Sequence, residues 1–177
     1  MSLALGADAS FVARTIDSDR RHLTSVLRAA ADHQGAAFIE IYQNCPIFND
    51  DAFEPLKGAS ATAERLIKLE HGEPVSFAGG TRGLRYGPHG LESVEVSTAE
   101  QDTLITHDAH RADPSYAFAL SRLDTADFRH TPVGVFRQVE QPSYDQLMAE
   151  QIDAARSRSG SGDLAALLAG NDTWEVS

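Results

Sequence analysis

The pattern of apolar and polar positions changes period twice in the first quarter of the chain. Ser10-Phe11-Val12-Ala13-Arg14-Thr15-Ile16, rich in β-branched and aromatic residues, reads as a short strand, and Asp17-Ser18 then offers side-chain oxygens to cap a helix. Leu23, Val26, Leu27 and Ala30 follow at i, i+3, i+4 and i+7, one apolar stripe, and Gly35 stops the helix. Ala36 to Tyr42 is mostly apolar on both faces, as a strand inside a parallel sheet should be. Strand, helix and strand in succession predict a βαβ unit with parallel strands and a right-handed crossover. Ligands of open α/β sheets sit beyond the carboxyl ends of the strands, and Asn44-Cys45-Pro46 is where the second strand runs out.

Beyond this unit the signals are shorter. From Asp50 to Ser60 the chain turns polar and small, which places a boundary near Gly58. Glu64 to Leu69 and Glu73 to Phe77 read as extended segments around the turn His71-Gly72, and Leu91 to Val96 as another strand. The glycines at 79, 80, 83, 87 and 90 lack both phosphate-loop spacings and are expected in hairpin turns. Asp113-Pro114 caps a helix from Ser115 to Leu123, and Pro132 to Arg137 reads as a strand. Ser143-Tyr144-Asp145-Gln146 matches a capping box, after which Tyr144, Leu147, Met148, Ile152 and Ala155 hold one helical face. Ser157 to Gly162 has the composition of a flexible linker, Asp163 to Ala169 that of a short helix, and Trp174 in the tail Thr173-Trp174-Glu175-Val176 that of a docking anchor.

Composition narrows the function. With 177 residues, 42% of them hydrophobic and 23% charged, the chain is a folded globule of about one domain. It has no apolar run long enough to span a membrane and no secretory signal at its start, so a cytoplasmic protein is expected. Fifteen Lys and Arg against 26 Asp and Glu give a net charge of −11, which repels a phosphate backbone and argues against nucleic acid as a partner. Cys45 is the one cysteine; alone it can form no internal disulfide and cannot by itself hold zinc or an iron–sulfur cluster. Its position admits a buried structural thiol, or a nucleophile if spatial neighbours lower its pKa. His107-Asp108-Ala109-His110 with Asp113 offers ligand-type side chains for a small metal-dependent hydrolase, but without an H-E-x-x-H frame, and the cap and loop reading is simpler.

The string Glu40-Ile41-Tyr42-Gln43-Asn44-Cys45-Pro46-Ile47-Phe48-Asn49-Asp50 resembles the beta subunit of 2-oxoacid:ferredoxin oxidoreductases, specifically the 2-oxoglutarate type. The likeness continues through Ala4-Leu5-Gly6-Ala7, Glu70-His71-Gly72-Glu73-Pro74, His107-Asp108, Asp113-Pro114-Ser115, Ala117 to Leu123, Pro132 to Arg137 and Asp172-Thr173-Trp174, and so covers nearly the whole chain. It implies an enzyme that cleaves a 2-oxoacid on thiamine diphosphate, passes electrons singly through a [4Fe–4S] cluster to ferredoxin, and releases the acyl group to coenzyme A. Cys45 matches the last of the four cysteines that ligate that cluster, with Asn44 and Pro46 shaping the loop that presents it.

The same resemblance implies what lies elsewhere. The family's paired cysteines, its third cysteine, and the Gly-Asp-Gly segment and asparagine that hold magnesium and the cofactor diphosphate have no counterpart here, so the chain corresponds to the C-terminal half of a subunit. Met1 stands where relatives read through from an upstream proline and valine, as a misassigned start or a truncation would produce. The expected fold is α/β: residues 1–57 as the C-terminal part of a thiamine-diphosphate-binding parallel-sheet domain, and residues 58–177 as a mixed β-hairpin and helix extension. No catalytic or cofactor-contacting residue is assigned besides Cys45 as a metal ligand. The expected partners are an alpha subunit and ferredoxin, with a 2-oxoacid and coenzyme A as substrates. This half alone is expected to be inactive and to bind neither thiamine diphosphate nor magnesium; the rival reading is a non-catalytic module that packs on the alpha subunit.

Overall fold

A computed structural model describes residues 1–96, 103–123, 127–171 and 174. After a short helix, α1 (Ser2–Gly6), the strand β1 (Phe11–Ile16), the helix α2 (Arg20–Asp32) and the strand β2 (Ala37–Tyr42) form the expected parallel unit, in register from Phe11 opposite Ala37 to Ile16 opposite Tyr42. The helix cap falls later than Asp17-Ser18: the Asp19 carboxylate accepts the His22 N–H at 3.0 Å. Asp17 is otherwise engaged. Its own N–H donates to the Tyr42 carbonyl at 3.0 Å and so ties together the carboxyl ends of β1 and β2.

The chain continues through α3 (Ala59–Arg65), β3 (Leu66–Leu69), β4 (Ser76–Phe77), β5 (Arg82–Gly87), β6 (Gly90–Glu95), α4 (Ser115–Ser121) and β7 (Thr131–Gln138). One sheet has the order β2-β1-β7-β3, with β7 antiparallel to β1 and parallel to β3; β4, β5 and β6 form a separate antiparallel meander. The larger sheet is therefore mixed, and it takes strands from both sides of Gly58. Residues Met1–Gln141 form one compact unit and Pro142–Ser177 a second. Glu64 and Arg65, expected in a strand, close the helix α3 instead. Its small residues carry helix propensity without the apolar stripe that would have revealed it.

Core packing explains the sheet order. Every residue of β1 is buried, including Arg14, whose Nε donates to Glu40 on β2 at 2.6 Å. Val12, Ile67, Leu84, Leu120 and Phe136 pack together on one side, and Phe11, Ala13 and Val26 under α2 on another. β7 can lie against β3 because Gly134, at φ +126°, sits where a Cβ would come within 2.7 Å of the Leu69 carbonyl. β2 departs from the interior strand that its sequence predicts: it is an edge of the described sheet, with Phe38 and Ile41 about two-fifths exposed.

In the second unit, α5 (Tyr144–Ser159) begins as expected, with Gln146 Oε1 accepting the Ser143 N–H at 2.9 Å. It runs through the first half of the segment expected to be a linker, because Arg156 and Arg158 suit a helix C-terminus and Ser157 Oγ donates back to the Asp153 carbonyl. Gly160, at φ +74°, ends it. The helix α6 (Leu164–Ala169) is capped by Asp163, and Leu164, Leu167 and Leu168 on it are exposed, as is Trp174. Thr173, Glu175 and Val176 of the expected tail lie outside the described residues.

Candidate metal-ligand site

Cys45 lies three residues beyond the end of β2, where the strand pattern places it. The loop that carries it is anchored at both ends on the core: Tyr42 and Phe53 stack with ring centroids 4.5 Å apart, over a cluster of Ile16, Leu56, Leu66 and Val133. Within the loop, the Asn44 side chain makes two bonds of opposite sense. Its Nδ2 donates to Asp50 Oδ1 and its Oδ1 accepts the Asp51 N–H, both at 2.9 Å. The Asn44 N–H donates to Asp17 Oδ2 at 3.3 Å, which connects the loop to the end of β1. Asp51 adopts the left-handed conformation, at φ +58°.

This closure bends the backbone around the sulfur. The Asn49 N–H donates to the Cys45 carbonyl at 2.9 Å. The nearby backbone amides, led by that of Phe48, hold the thiol pKa below its ordinary value against a smaller opposing effect of desolvation. The cysteine is free and partly exposed, and the neighbouring side chains Ile47 and Phe48 stand 84% and 88% exposed. A thiol whose pKa is lowered forms more readily the thiolate, the form that binds iron.

The histidine stretch is built differently. His107 is fully buried, with Nε2 2.8 Å from the Val135 carbonyl and Nδ1 3.1 Å from the Tyr116 hydroxyl. A carbonyl can only accept, so Nε2 carries the proton and Nδ1 accepts from Tyr116. Burial lowers the His107 pKa and raises that of Tyr116, so both are neutral. His110 turns to another partner, its Nδ1 lying 2.9 Å from the Gln138 carbonyl, and Asp113 accepts the Ser115 N–H at the start of α4. Among the described residues, no group of three or more His, Cys, Asp or Glu side chains is placed to hold a metal ion. The geometry thus gives His107, His110 and Asp113 structural work, whereas Cys45 is free and partly exposed.

No family model matches the chain. It is 50% identical to the 2-oxoglutarate oxidoreductase subunit KorB of Mycobacterium tuberculosis over 179 aligned residues, which cover 99% of this chain and 48% of that subunit, in its C-terminal part. Along nearly its whole length the chain is similar to the C-terminal part of a beta subunit of this oxidoreductase type. A beta subunit from Saccharolobus solfataricus is 38% identical over 152 residues, or 85% of this chain and 39% of its own length. The fold is shared with a 2-oxoglutarate:ferredoxin oxidoreductase from Magnetococcus marinus, solved with 2-oxoglutarate, coenzyme A and succinyl-CoA bound. That match has a TM-score of 0.57 at 16% identity and covers 97% of this chain and 44% of that one. The chain spans about half the length, or less, of the proteins it matches.

The donors present fit one ligand position of an iron–sulfur cluster and no more, since a cluster needs several thiolates and this sequence holds one. The thiamine diphosphate and magnesium that the family resemblance implies do not fit this chain, which lacks the Gly-Asp-Gly segment and its asparagine. Sequence reasoning placed Cys45 past the end of β2, and the resemblance gave Asn44 a shaping role, but Asp17, Asp50 and Asp51 were missed as the groups that Asn44 and its backbone bind. The available signal was the spacing of Asx residues on both sides of the cysteine, a pattern in which side-chain amides and carboxylates close loops on backbone N–H groups.

Proposed function

We propose that this chain is part of the beta subunit of a cytoplasmic 2-oxoacid:ferredoxin oxidoreductase of the 2-oxoglutarate type, which oxidatively decarboxylates a 2-oxoacid to its acyl-CoA with reduction of ferredoxin. The observation that carries the reading is 50% identity to a KorB subunit along 99% of the chain. Within that subunit Cys45 holds one iron of a [4Fe–4S] cluster, a role that the lowered pKa of its thiol suits. The cluster, when bound, supplies single-electron transfer to ferredoxin. Residues 1–57 close the thiamine-diphosphate domain and residues 58–177 extend it, a division that falls inside one continuous sheet. Thiamine diphosphate, magnesium and the other three cluster cysteines come from parts of the subunit beyond this sequence, and an alpha subunit completes the assembly.

The test is turnover. Purified complex of the complete subunit with its alpha partner is expected to reduce a viologen dye only when both 2-oxoglutarate and coenzyme A are supplied; reduction independent of either substrate, or none at all, overturns the reading. A second reading, that these residues serve only as a packing module, is favoured by the open β2 edge and by the exposed Phe38, Ile41, Ile47 and Phe48. It predicts that the isolated chain self-associates. A monodisperse monomer that melts cooperatively would contradict it.

A further inference from the structure

The turn at His71-Gly72, between β3 and β4, and the loop from His107 to Arg111 are joined in two ways. The first is backbone: the Gly72 N–H donates to the His107 carbonyl and the His107 N–H to the Glu73 carbonyl, both at 2.8 Å. The second runs through a side chain. The Ala109 N–H donates to His71 Nδ1 at 3.2 Å, so this nitrogen is unprotonated and the ring proton is on Nε2. The Asp108 carboxylate stands at the same nitrogen, with Oδ1 3.6 Å from it. One ring atom therefore faces both a donor and an acceptor, and its protonation selects between them. In the neutral ring Nδ1 accepts and holds Ala109; in the protonated ring it can only donate, and Asp108 is the acceptor in reach.

The surroundings permit that exchange of partners. The His71 side chain is 51% exposed, so its ring equilibrates with solvent protons. Among the described residues, the charged and titratable groups about the ring are Asp108; Arg111, whose Nε lies 3.8 Å from Asp108 Oδ2; His110, whose ring meets that of His71 edge-on at 4.3 Å; the buried, neutral His107; and Glu70 and Glu73 of its own turn. Asp108 Oδ1 also accepts the His110 N–H at 2.9 Å, and Arg111 Nη1 donates to the Tyr86 hydroxyl on β5 at 3.3 Å, so a move of Asp108 toward His71 is carried along the loop. Ala109 is buried, and its N–H, once released, has to turn toward water to be satisfied. We propose that His71 is a proton-operated latch: neutral, it pins the loop at Ala109 through Nδ1; protonated, it releases Ala109 and pairs with Asp108, which loosens residues 108–111 against the turn. The latch works in this way whatever Cys45 binds.

The experiment is residue-resolved hydrogen exchange of the full chain between about pH 8 and about pH 5, corrected for the intrinsic pH dependence of amide exchange. The Ala109 amide is expected to be protected at the upper end and to lose that protection as His71 takes up its proton, while the Gly72 and His107 amides stay protected throughout. His71→Asn sets Oδ1 in the place of Nδ1, an acceptor that does not titrate, and is expected to keep Ala109 protected over the whole range; His71→Ala is expected to leave it unprotected at every pH. Asp108→Asn keeps an oxygen for the His110 N–H and removes the charge that favours the protonated ring, so the loss of protection is expected to move to lower pH. Ala109 protection that does not change with pH in the parent, or that falls as steeply in His71→Asn, overturns the latch. So does a loss that Asp108→Asn leaves in place or moves to higher pH, and so does one in which Gly72 and His107 lose protection together with Ala109, which marks unfolding of the whole region.

Discussion

The Cys45 loop and the His107 loop each present side chains of the kind that bind metals, and they differ in what the donor atoms have left to give. Both His107 nitrogens are used, one by a carbonyl and one by a hydroxyl, in a site closed to solvent. Cys45 is free and partly exposed, and nearby backbone amides lower its thiol pKa. A saturated, buried donor holds a fold together, whereas a donor whose charge is stabilised but not neutralised is prepared for a cation. The comparison therefore predicts that changes at His107 register in stability and changes at Cys45 register in bound iron.

The largest stability effect is expected at His107 itself. His107→Ala leaves a cavity and strands the Val135 carbonyl and the Tyr116 hydroxyl, a loss of about 2–4 kcal/mol. Urea denaturation reads it, and a change near zero would break the contrast. Acid comes next. Because burial holds the His107 pKa in the folded chain below the unfolded value, near 6.5, the unfolded chain binds more protons in the window below that value. The stability linked to this histidine is fully present above about pH 6.5 and is lost as pH falls. His22, His33 and His130 are lowered by burial in the same sense. His107→Gln is therefore expected to flatten the fall in unfolding free energy between pH 7 and 5 without abolishing it. An unaltered slope would show that His107 does not titrate on unfolding. The smallest effect belongs to Tyr116→Phe, which removes one donor and costs about 1 kcal/mol by the same denaturation measurement.

Much of this was legible in the chain. The βαβ unit followed from the change between strand and helix periods over residues 10–42, and with it the place of Cys45 just past the end of β2, whereas its reading as a ligand came from the family resemblance alone. The capping box at Ser143 and the proline-led start of α4 are local chemistry and appeared where local chemistry put them. The pairing of β7 with β1 did not, because strand partners far apart in sequence leave no periodic trace, and neither did the edge position of β2, whose apolar faces suit an interior strand. α3 was hidden because Ala59, Ser60, Ala61, Thr62 and Ala63 are small and carry no stripe. At the site, the cysteine was visible and the closure of its loop was not, since that closure depends on Asn44, Asp17 and Asp51 acting together.

The central claim, that Cys45 holds one iron of a cluster in a 2-oxoacid:ferredoxin oxidoreductase, is tested most directly by iron content and visible absorbance of the complete beta subunit before and after Cys45→Ser. The account predicts a brown protein with a [4Fe–4S] cluster in the parent, loss or marked weakening of that absorbance and of bound iron in the variant, and thiamine diphosphate binding largely retained. A cluster of undiminished stoichiometry in Cys45→Ser would contradict it.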